Sequence, residues 1–133
     1  MNRVVHFEIH AANPARAVEF YSKLFGWKFD QYPGGPTDYW LITTGPADQP
    51  GGINGGLVRR MGGTPKASDP TPVVAYVCTI DVENIDTMGA AILATGGTLA
   101  HQKSAIPGLA WLAYYKDPDS NIFGIYQLDK NAK

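Results

Sequence analysis

The chain has 133 residues, 44% of them hydrophobic, and a formal net charge of −1. That suffices for one domain with a real core, and no apolar run approaches the ~20 residues that span a bilayer. With no block of lysine or arginine in the sequence, neither nucleic acid nor an anionic membrane is expected as a partner. A single cysteine, Cys78, leaves no internal disulfide. It sits in an apolar run and reads as a buried thiol. The first residues lack the basic and apolar segments of a signal peptide, and the expected compartment is the cytoplasm.

Residues 4–10, VVHFEIH, alternate apolar and polar side chains as a half-buried strand does. Asn13 then supplies a helix cap and Pro14 the first turn. Val18, Tyr21, Leu24 and Phe25 form an apolar stripe at helical spacing, which Gly26 ends as a left-handed cap. Strands are predicted at 27–32, 39–44 and 55–60, with a turn at 33–36 and a loop through GPADQPGGINGG. Residues 61–72, rich in Gly, Pro and Ser, read as a linker. Beyond it the order recurs: a β-rich run at 73–80, cap chemistry at 81–84, and a helical stripe of Ile85, Met88 and Ile92 closed by Gly96-Gly97. Strands follow at 98–102, 110–115 and 122–127, and DPDSN at 117–121 is a turn by its chemistry.

Strand, helix and three strands therefore occur twice, and this duplication is the main organisational fact of the sequence. The predicted fold is α+β: one domain over 1–133, built of two tandem βαβββ modules, about 1–60 and 73–128. One face of each sheet is covered by its helix. The other faces are expected to curl into a cup-shaped, partly closed mixed sheet around a cavity, where a small molecule would bind.

VVHFEIHAANPARAVEFYSKLFGW resembles the opening module of the vicinal oxygen chelate superfamily, which includes glyoxalase I, extradiol dioxygenases and bleomycin-binding proteins. ATGGT and IPGLAWLAYYKDPDSNIFGIYQ are similar to its second module, so the resemblance covers nearly the whole chain. It implies a divalent metal held by side chains on the first and last strands of each module. Here His6 matches the first such position, whereas Ala75, Gly55 or Gly56, and Gly124 occupy the others. Only His6 survives, and one imidazole does not retain a catalytic ion. No metal is expected, with a divalent ion at His6, assisted by Glu8, as the alternative.

On a strand, alternate residues share a face. Val5, Phe7 and Ile9 must meet the helix, which turns His6, Glu8 and His10 toward the expected cavity. There they would form a polar strip, with Glu8 orienting an imidazole for hydrogen bonding or proton transfer. Tyr39, Trp40, Trp111 and Tyr126 are expected to complete a ligand-binding wall. Arg59-Arg60 reads as a solvated pair, with contact to an anionic substrate as the alternative. The expected function is that of a glyoxalase/bleomycin-resistance-like protein binding a small organic molecule without the usual metal, and the resemblance implies a homodimer. The alternative is a lyase, isomerase or dioxygenase with a non-standard metal site or with metal-free His/Glu acid–base chemistry.

Overall fold

A computed structural model describes residues 2–35, 37–63, 76–116 and 122–133. It contains β1 (Val4–Ala11), α1 (Pro14–Phe25), β2 (Lys28–Gln31), β3 (Tyr39–Thr43) and β4 (Gly55–Arg59). After the linker come β5 (Val77–Asp81), α2 (Ile85–Ala94), β6 (Thr98–Ile106), β7 (Ala110–Lys116) and β8 (Ile122–Leu128). The class is α+β and the order βαβββ occurs twice. The chain divides into two compact units, His6–Tyr76 and Met1–Val5 with Val77–Lys133.

In the first unit the strand order is β2-β3-β4-β1. β1 and β4 run parallel, and β3 is antiparallel to β2 and to β4. Alternation sends Phe7 and Ile9 to the same side as Ile42 and Leu57, and these four form the buried core. Ala17, Val18 and Tyr21 of α1 pack onto it. The helix starts because Asn13 Oδ1 accepts the Arg16 N–H at 3.1 Å and Pro14 fits the first turn. It stops at Gly26, whose φ of +69° is left-handed and whose N–H donates to the Ser22 carbonyl.

The second unit repeats the plan with order β5-β8-β7-β6, β5 and β8 being parallel. Its core is Val82, Ile85, Ala113, Tyr115 and Ile125, with Met88 and Ile92 of α2 packed against it. Asn84 caps α2 by accepting the Thr87 N–H at 2.8 Å. Asp81 ends β5, and its carboxylate accepts the Arg3 N–H. Gly96, with φ +96°, follows the helix as Gly26 follows α1.

Two predicted boundaries move. The strand predicted at 98–102 runs on as β6 to Ile106, through bulges near His101. Its residues are mostly exposed, so they carry no apolar alternation to mark a strand. The ladder to β7 holds them instead. The run predicted at 73–80 is a strand from Val77; residues 73–75, with Ala75, lie outside the described residues, as do most of the linker and DPDSN. No helix among the described residues is long and apolar enough to cross a membrane.

Leu57 is fully buried, whereas Leu128 is 71% exposed. Leu57→Ala should lower the free energy of unfolding by about 2–5 kcal/mol. Leu128→Ala should change it by less than about 0.5 kcal/mol. Urea denaturation of both variants checks this, and equal losses would contradict the core assignment.

Candidate functional site

With Phe7 and Ile9 committed to the helix side, His6 and Glu8 project from the other face of β1. The ladder sets Glu8 beside Gly56 of β4, and Gly56 beside Leu41 of β3. Tyr39 lies two residues before Leu41 and shares its face. Its side chain reaches across Gly56, and a Cβ added there would collide with the phenol hydroxyl. That hydroxyl lies 3.0 Å from His6 Nε2 and hydrogen-bonds Glu8. The glycine found where the superfamily resemblance expects a ligand thus makes room for a phenol.

The electrostatics follow from burial. Glu8 is only 8% exposed, an unusual position for a carboxylate. Burial, the nearby Glu8 charge and the hydrogen bond to Glu8 all push the Tyr39 phenol well above the usual tyrosine range. It therefore stays protonated and gives its one proton to the carboxylate. The phenolic oxygen is then left to accept, which assigns the proton of the facing imidazole nitrogen to His6 Nε2. Burial lowers the His6 pKa and Glu8 partly opposes this, so the imidazole is neutral at pH 7. The result is a directed chain from His6 Nε2–H to the Tyr39 oxygen, and from the Tyr39 hydroxyl to Glu8. His6 Nδ1 keeps its lone pair, able to accept a proton or a hydrogen bond.

His6, Glu8 and Tyr39 are thus brought together. His10 is exposed at the end of β1, outside this hydrogen-bonded group. Trp40 does not join the expected wall: it is in register with Leu57 and packs on the helix-side core. Trp111 likewise packs on the core beneath α2, and its indole N–H donates to Asp129 at 3.0 Å. Tyr126 stands on the other face of the second unit's sheet, in register with Leu112 and Asp81, and burial raises its pKa.

Sequence reasoning placed Tyr39 on a wall but missed its tie to Glu8 and His6. The available signal was a glycine inside a strand, which marks a close approach.

The donors do not fit a divalent ion. Among the described residues no three His, Cys, Asp or Glu side chains cluster closely enough to hold one. His6 and Glu8 supply two donors, and the third nearby oxygen belongs to a phenol kept protonated. A structural or catalytic ion of this class needs three or four converging protein ligands.

No known family profile matches the chain, and no curated protein matches it. Solved structures do. A glyoxalase/bleomycin resistance protein/dioxygenase superfamily member from Vibrio splendidus 12B01 is similar with a TM-score of 0.61 and 18% identity, covering 96% of this chain and 99% of that one. Methylmalonyl-CoA epimerase from Mycobacterium tuberculosis gives 0.61 and 15%, covering 93% and 86%. A structure described as NAD-dependent benzaldehyde dehydrogenase from Legionella pneumophila gives 0.56 and 15%, covering 93% and 98%. The likeness carries the fold, and the three names point to different activities.

Glu8 is the charge that raises the His6 pKa against burial. Glu8→Gln removes it, so the His6 pKa should fall further, as an NMR titration of the imidazole would read; a rise would contradict the assigned balance. In the parent protein the folded pKa lies below the ordinary 6.5. The unfolded chain therefore takes the proton first as pH falls. This contribution to stability is complete above about pH 6.5 and is lost below it, and urea midpoints should decline less steeply in His6→Gln.

Proposed function

We propose, from a chain that has the vicinal oxygen chelate fold, that the protein binds a small organic molecule against the His6–Glu8–Tyr39 face without a resident divalent metal. The single observation that carries this reading is the directed hydrogen-bond chain. It uses Glu8 and the Tyr39 hydroxyl internally and leaves His6 Nδ1 to meet a polar group of the ligand. Leu41, 45% exposed and on the same sheet face, offers apolar contact beside that polar point. The protein would then resemble the bleomycin-resistance type of binder, acting in the cytoplasm as a homodimer.

A second reading is favoured by one feature of the site. A neutral imidazole with a free Nδ1, oriented by a phenol and a buried carboxylate, is also a general base. Epimerases recur among the similar structures, one of them in complex with methylmalonyl-CoA. In that reading the chain is an isomerase whose His6 removes a proton from a carbon acid.

Three measurements test these readings. Equilibrium dialysis against Zn2+, Ni2+ and Mn2+ should leave far less than one ion per chain; stoichiometric uptake lost in His6→Ala would overturn the metal-free proposal. NMR screening of small organic compounds should yield ligands that shift His6, Tyr39 and Leu41, and that bind about tenfold more weakly to His6→Ala, as expected when one good hydrogen bond is lost. No ligand on that face would sink it. Methylmalonyl-CoA in D2O distinguishes the isomerase: catalysed deuterium entry at the α carbon supports it, and none supports a binder.

A further inference from the structure

The consecutive residues Arg59 and Arg60 meet opposite fates. Arg59 donates through Nε and Nη2 to Asp38 Oδ2 at 2.9 and 2.8 Å, and its charge is neutralised there. Arg60 meets no carboxylate among the described residues. Its Nη2 donates to the His10 carbonyl at 2.7 Å, and its Nε is buried with no hydrogen-bond partner. A buried N–H without an acceptor is unfavourable and calls for an explanation.

Arg60 lines a cavity of about 320 Å³ at the C-terminal end of β1. Arg16, from the first turn of α1, lines it too, and no ion pair is formed by its guanidinium among the described residues. The backbone N–H of Arg16 is already taken by Asn13, so the positive character comes from the two side chains. The rest of the wall is mainly apolar, with Ile9, Ala17, Phe20 and Tyr21. No Asp or Glu among the described residues lines it. The Tyr21 ring is fixed by stacking on Trp27 at 5.3 Å and by its hydroxyl contact with Tyr76 at 2.6 Å.

Two guanidiniums without counter-charges among the described residues, one with an idle buried N–H, beside an aromatic wall, define a ligand chemistry. We propose that this cavity binds a small organic anion. A carboxylate or phosphate head would lie between Arg16 and Arg60, where guanidinium N–H groups match the spacing of oxyanion oxygens. An apolar or aromatic body would rest on Phe20 and Tyr21. The site is separate from the His6–Glu8–Tyr39 group and does not depend on the function proposed for it.

Calorimetric titration at low ionic strength tests this with phenyl phosphate and benzoate as probes and benzyl alcohol as the neutral control. At least one anion should bind saturably and one to one, more weakly as salt is added, while benzyl alcohol should not bind. Arg16→Gln and Arg60→Gln should each weaken binding about tenfold, the effect of losing a charge-assisted contact. Lys28→Gln, which removes a charge outside the cavity, should leave it unchanged. If circular dichroism shows that Arg60→Gln does not fold, the exposed Arg16 decides alone. Absence of saturable binding by either anion, or binding equally affected by Lys28→Gln and Arg16→Gln, would overturn the assignment.

Discussion

A carboxylate removed from water must find hydrogen-bond donors or be protonated, and Glu8 is the buried carboxylate among the described residues. Its donor is Tyr39, which belongs to a strand not adjacent to its own. The phenol can reach across only because the intervening strand carries no side chain at Gly56. One constraint therefore ties together three strands, fixes the orientation of the phenol, and sets the hydrogen-bonded state of His6. Truncating the Tyr39 hydroxyl would leave Glu8 without that donor, at a cost of about 1–3 kcal/mol.

The second unit meets the same geometric situation with different chemistry. Gly124 of β8 lies beside Thr79 of β5 and Tyr114 of β7. A Cβ at Gly124 would stand 2.8 Å from Thr79 Oγ1 and 3.2 Å from the Tyr114 ring. In both modules, then, a glycine in the last strand admits an aromatic ring from the preceding one. The first module adds an acid and an imidazole and so acquires a polar site. The second has Thr79, whose hydroxyl oxygen is buried without a hydrogen-bond partner. The duplicated sequence preserves the packing device while the functional groups differ.

Local signals made much of the fold legible. Asn13-Pro14 and Gly26 bracket α1, and Asn84 and Gly96 bracket α2, because caps and left-handed turns are decided by neighbouring residues. The faces of β1 were also readable, since Phe7 and Ile9 are apolar and His6 and Glu8 are not. Trp40 and Trp111 were not: each stands among apolar neighbours on both sides, so alternation names no face. Register with Leu57, and packing beneath α2, settle them. The length of β6 was hidden because its pairing with β7, not its own burial, maintains it. The link between Tyr39 and Glu8 depends on a register across two ladders, which no single segment encodes.

The arrangement around Glu8 can be read from the ionisation of Tyr39 itself. Tyrosine labelled at the ζ carbon, with signals assigned by Tyr→Phe variants, would follow each of the seven phenols through an alkaline NMR titration. Tyr39 should keep its protonated shift after Tyr76, itself pushed up to about 12, has ionised. A Tyr39 signal that moves near the ordinary tyrosine value of 10.0 would mean that its hydroxyl is not buried against the carboxylate. The hydrogen-bonded chain from His6 to Glu8 would then be wrong.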